Sequence, residues 1–201
     1  MSGSSIPRIV RKHKPKKRYT AHTARKAFPL LMEDFFERCA YSLVHRLSIG
    51  DSAMNVDHFD PSKKRVCFYE NLYPACSLCN NAKGDAWPSP EDQELGARFL
   101  DPCRESDYGY QIFENPETHE LVGTTTAARY HIDMLDLNNE ALVAQRRERT
   151  AWISVVNSPV IELRSSPEHD TECLRLLQVA REHAERKIPS IPPPPAAKPE
   201  A

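Results

Sequence analysis

Residues 56–85 read VDHFDPSKKRVCFYENLYPACSLCNNAKGD, a stretch in which Asp57-His58, Asn71, a Cys76-x-x-Cys79 step, Asn80 and Lys83 follow one another closely. Breaking a phosphodiester requires a nucleophilic water, a base for its proton, and positive charge where the leaving oxygen becomes anionic. His58 suits the base, because a near-neutral imidazole accepts a proton at working pH. The Asp57 carboxylate and an amide oxygen from Asn80 are hard donors of the kind Mg²⁺ or Mn²⁺ prefers. Successive strand residues point to opposite faces, so Asp57 and His58 reach one site only where the strand ends or twists. The Phe59-Asp60-Pro61 turn supplies such an end. Patterning predicts a strand over residues 54–58, a turn at 60–64, a second strand from Arg65 to Tyr69, and a helix from Pro74 to Gly84. Two strands and a helix in about thirty residues form a ββα unit.

Working outward, apolar spacing around Phe28, Leu31 and Phe35 predicts a helix between Thr20 and Arg38, with Pro29 as a kink or a second start. Cys39 to Leu47 has a β-like pattern. Downstream, residues 108–114 and 120–123 pattern as a hairpin. Thr126 is placed to cap a short helix over 127–135, and Asn138 a longer one from Asn139 to about Val156. Ser166-Pro167-Glu168 opens a last helix through Ala184. Residues 188–201, IPSIPPPPAAKPEA, read as an unfolded polyproline II tail. The expected class is α+β: a ββα core embedded in a mostly helical domain spanning residues 20–187, with the core at about 39–87 and a helical C-terminal part at about 124–187.

The net charge of -1 conceals an asymmetry, since nine Lys and Arg and no acid lie within residues 1–32. Residues 1–19 therefore read as a disordered basic arm, and Lys14, Lys16, Lys17 and Arg18 become candidates for contacts with phosphate. A solvated tail without a ligand is the competing reading of the same run. Arg146, Arg147 and Arg149 read as a solvated helix face. No apolar run reaches about 18 residues and no apolar stretch follows the basic N-terminus, so neither a membrane span nor secretion is expected. With six cysteines, one close pair among them in a metal-like context, a reduced cytoplasmic setting is expected.

Asp57-His58, Asn71 within Glu70-Asn71-Leu72, and Cys76-x-x-Cys79-Asn80-x-x-Lys83-Gly84-Asp85 together resemble the HNH endonucleases, in the variant whose last motif residue is Asn. The detailed likeness covers residues 39–87. It implies a metal-dependent nuclease acting on DNA, with His58 as general base, Asp57 and Asn80 holding Mg²⁺ or Mn²⁺, and Asn71 bracing the loop that orients His58. Lys83 would lie near a phosphate. Zinc-bearing members of the family frame this unit with two Cys-x-x-Cys pairs. Cys76 and Cys79 match the second pair and Cys39 begins the first, but Ser42 stands where the fourth cysteine is expected. Zn²⁺ would then need His45 as a substitute, or be absent.

A looser likeness runs through Arg98-Phe99-Leu100-Asp101-Pro102-Cys103, Tyr110-Gln111-Ile112-Phe113 and Leu135-Asp136-Leu137-Asn138. It is similar to stand-alone HNH nucleases of bacterial anti-phage systems of the Septu and retron-associated types. That resemblance implies a regulatory ATPase as partner, and in retron systems a reverse transcriptase with its nucleic acid. Two alternatives share the motif: a non-catalytic module that keeps the ββα unit to bind nucleic acid or a partner, and a nuclease that cuts RNA.

Overall fold

Pro29 lies in the first turn of helix α1 (Phe28–Asp34), where its missing N–H is no loss. It marks a start and not a kink, with a 3-10 turn at Ala24–Ala27 leading in. The computed structural model describes residues 6, 8–50, 53–163, 175, 178–180, 189 and 191–195, with the backbone alone over 155–163. The fold is α+β. After α1 the chain does not run on as a strand: Cys39 N–H donates to Val44 O and Leu43 N–H to Cys39 O, closing a tight turn. A short helix α2 (Arg46–Ile49) follows.

Strand β1 (Met54–His58) pairs antiparallel with β2 (Leu72–Cys76), with Asp57 opposite Tyr73 and His58 opposite Leu72. Helix α3 (Ser77–Lys83) leaves β2 directly and ends at Gly84, whose φ of 49° lies in the left-handed region that suits glycine. The order strand, strand, helix is the expected one, but both later elements start further along the chain. Arg65–Tyr69 does alternate, with Cys67 and Tyr69 buried and Val66 and Phe68 exposed. Its partner, however, is Tyr19 of the N-terminal arm, which exchanges both backbone hydrogen bonds with Cys67.

Helix α4 (Pro90–Glu94) opens with a reciprocal capping box between Ser89 and Asp92. Strands β3 (Ile112–Glu114) and β4 (Leu121–Gly123) form the expected hairpin, which packs on helix α5 (Thr126–Met134). A Cβ on Gly123 would lie 2.6 Å from the Arg129 nitrogen, so the close approach of β4 to α5 requires glycine there. Helix α6 (Glu140–Leu163) is capped by Asn139, not Asn138. Asn138 instead bonds both backbone groups of Leu121, tying α6 to the hairpin. Arg146 and Arg149 are buried, not solvated. Arg146 donates to the His119 and Leu137 carbonyls, and Arg149 pairs with buried Glu114.

Two segments expected to be free chain are seated on the body. From Arg8 to Lys16 the arm alternates, with even-numbered residues exposed and odd-numbered ones leaning inward. Arg11 anchors it, its guanidinium 4.5–5.1 Å from the Phe35, Tyr69 and Tyr73 ring centres and hydrogen-bonded to Tyr69 O and Glu70 O. At the other end, Glu114 N–H donates to Pro192 O, and Ile191 is buried. Of the last expected helix only residues 175 and 178–180 are described, and these are helical; the rest of that segment and Cys173 lie outside the described residues.

The core is rich in tyrosine, and each buried hydroxyl but one has a partner. Tyr41 donates to Asp57, Tyr69 to Asp34, Tyr73 to Asp101 and Tyr108 to the Tyr41 carbonyl, while the Tyr19 hydroxyl has none. Burial first, and then these carboxylates, push the Tyr41, Tyr69 and Tyr73 hydroxyls above their ordinary value, so they remain donors.

Candidate active site

His58 closes β1, half-buried, with its backbone carbonyl held by the Lys83 ammonium at 2.9 Å. Its Nε2 is buried and has no hydrogen-bond partner, so nothing in the fold consumes the imidazole's proton-accepting capacity. Burial lowers its pKa from 6.5, the Lys83 and Lys64 charges add to this, and Asp57 and Asp85 oppose it. The ring is therefore neutral near pH 7.

Asn71 bonds the loop that follows β1 on both sides. Its Oδ1 accepts from Asp60 N–H at 2.9 Å, its Nδ2 donates to Asp60 O at 3.0 Å, and its carbonyl accepts from Phe59 N–H. The loop it fastens is the one leaving His58. Asn80 lies on α3, half-buried, and its side-chain amide has no protein partner among the described residues.

Asp57 and Lys83 are placed differently from the expectation. Strand alternation turns Asp57 inward, away from the half-buried face of His58. Its carboxylate, 5% exposed, accepts from Tyr41 and from Lys83, whose Nζ lies 3.1 Å from each oxygen. Lys83 is 1% exposed and so does not meet a phosphate. A metal ligand needs free lone pairs, and those of Asp57 are committed. In this arrangement it does not fit a divalent ion alongside Asn80. A chain of contacts from Tyr108 through Tyr41, Asp57 and Lys83 ends on the His58 carbonyl and ties the end of β1 to the core.

The Cys39 turn is fastened to the unit by Ala40 N–H donating to Pro74 O. Cys39, Cys76 and Cys79 thereby come together, their sulfurs all within 4.8 Å of one another and fully buried. Tetrahedral zinc with bonds of about 2.3 Å separates its sulfurs by about 3.8 Å, so the three could hold such an ion with little adjustment. Ser42 takes the fourth side, its Oγ 3.6 Å from Cys76 Sγ and its N–H 3.4 Å from Cys39 Sγ. His45 does not: its Nδ1 caps α2 by accepting from Leu47 N–H, and its Nε2 lies 3.5 Å from Glu37. Burial opposes a Cys39 thiolate, but hydrogen bonds from Cys76, Cys79 and Ser42 outweigh it and lower that thiol well below its ordinary value. Cys76 is pushed up to about 12, chiefly through its hydrogen bond with Cys39, and Cys79 is raised for the same reason. Of the three, Cys39 is the sulfur whose thiolate the surrounding hydrogen bonds favour.

Lys14, Lys16, Lys17 and Arg18 are exposed on the seated arm, with Lys17 stacked on Tyr19 and Arg18 on Phe68. The arm's cations therefore have fixed positions, which composition alone does not reveal. Among the described residues no helix is long and apolar enough to cross a membrane. No family model, curated protein or solved structure matches the chain.

Proposed function

We propose that this protein is an HNH-type endonuclease that hydrolyses phosphodiesters, with His58 as general base. The observation that carries the reading is His58 itself: a neutral imidazole, its Nε2 unpartnered, on a strand–strand–helix unit whose adjoining loop is locked by Asn71. In this reading the His58 imidazole takes the proton of the attacking water, and Asn71 holds the loop that leaves it. A divalent ion, were one held there, would supply charge stabilisation for the leaving oxygen. Asn80 is the free oxygen donor for Mg²⁺ or Mn²⁺, whereas Asp57 would first have to leave Lys83. The sulfur cluster is read as a structural zinc site that fixes α3 to the Cys39 turn. Plasmid nicking with added Mg²⁺ or Mn²⁺ tests the reading: His58→Ala should lose cleavage while unfolding at the wild-type temperature. Unchanged cleavage by that variant refutes it.

The engagement of Asp57 favours a second reading, a binding module that retains the unit without the chemistry. Nucleic-acid binding with no cleavage under any divalent ion would select it. The biological setting, an anti-phage effector on DNA governed by an ATPase, rests on the sequence resemblance and is tested by co-purification with a neighbouring ATPase.

A further inference from the structure

Two clefts of opposite character meet beside the His58 loop. The larger, about 560 Å³, is walled by Phe59, Phe68 and Trp87 and floored by Asp60 and Asn71, the two residues that fasten the loop. Phe68 and Trp87 are 50% and 41% exposed, and Val66 beside them is 51% exposed. Its lining charges are Lys63 and Arg104 against Asp60, Glu70 and Asp101, with Arg18 over the Phe68 ring, a balance that offers phosphate no net attraction. The smaller cleft, about 290 Å³, carries Arg8, Arg11, Lys14 and Arg104 against Glu70 and Asp101, a balance that attracts it. Glu70, Asp101 and Arg104 line both clefts, forming the wall between them.

We propose that the pair of clefts seats one unpaired nucleotide of a nucleic-acid strand, its base in the aromatic cleft and its phosphate in the cationic one, so that the protein prefers single-stranded over duplex substrate. This rests on the nuclease reading and supplies its substrate class. Aromatic walls stack any base, since every base has a π-face. The Glu70 carboxylate, with no side-chain partner among the described residues, can accept hydrogen bonds from a base's amino group but not from a phosphate. A base inside a duplex is stacked and paired, and must be extruded at a cost of a few kcal/mol before it could enter. Arg8 and Lys14 lie on the exposed side of an arm fixed by Arg11, so the cationic cleft is built before the strand arrives.

The experiment is fluorescence anisotropy of the full chain, without added divalent ion, on a labelled single-stranded DNA, its RNA counterpart and the DNA duplex of the same sequence. The single strands should bind at least about tenfold more tightly than the duplex, and Phe68→Ala should weaken single-strand binding about tenfold while leaving duplex binding unchanged. In a Trp152→Phe background the single strand should quench Trp87 emission. Lys14→Glu should weaken binding and lower its salt dependence. A duplex that binds as tightly as the single strand, an unquenched Trp87, or a Phe68→Ala variant within twofold of wild type overturns the proposal. His58-dependent nicking is scored separately, so either reading can fail while the other stands.

Discussion

Replacing Lys83 with Met removes a buried charge together with its hydrogen bonds to Asp57 and to the His58 carbonyl. The two side chains are similar in length and the site is closed to solvent, so the stem packs as before. What changes is Asp57, whose oxygens both lie 3.1 Å from the Lys83 nitrogen. At that separation, with an effective dielectric near 20, the pair's gross attraction is about 5 kcal/mol. Deleting one partner of a buried pair costs about 3–5 kcal/mol, because the other charge stays desolvated with only Tyr41 to satisfy it. For a chain of this size that is a fall in Tm of roughly 6–20 °C. Urea unfolding followed by circular dichroism measures it. Adding Asp57→Asn removes the orphaned charge and should recover most of the loss. A Lys83→Met variant within about 1 kcal/mol of wild type, or a double variant worse than the single, would refute the structural role assigned to this pair.

Other perturbations test the remaining parts. Burial depresses His131 to about 3, below its unfolded value, so the unfolded chain binds a proton the fold refuses. Stability is whole above about pH 6.5 and should fall by about 1.4 kcal/mol per pH unit below it. His131→Gln, whose amide oxygen can still accept from Leu100 N–H, should flatten that slope in acid titrations monitored by unfolding. His58 is also depressed, so the acid limb of the cleavage rate should fall below pH 6.5, and a limb above that value contradicts its burial. Ser42→Cys should complete a four-sulfur site and slow the release of zinc to a chromogenic chelator at least tenfold relative to wild type. Equal release from both would mean that Ser42 does not face the ion. Arg11→Met should free the arm, and faster trypsin cleavage at Lys16, Lys17 and Arg18 would show it.

The order of elements around the motif was legible in the chain because it depends on local signals: Gly84 ending a helix, Asp60-Pro61 turning the chain, and alternation marking strand-like segments. Asn71 stands out by its place in the motif, whereas its hydrogen bonds to Asp60 are visible only in the fold. The strand boundaries were not, since Arg65–Tyr69 alternates as a strand does while its partner is the distant Tyr19. Nor could sequence spacing assign the fourth side of the sulfur cluster. Ser42 and His45 lie on the same turn, and only its closure between Cys39 and Val44 places the serine inward and leaves the histidine capping α2. The same holds for charge. The sequence shows a basic N-terminal run and a lysine three residues after Asn80, but whether a cation faces water, an aromatic ring or a buried carboxylate is a matter of long-range packing. Local chemistry names the groups, and burial decides which of them keep their lone pairs and charges free: His58 does, and Asp57 does not.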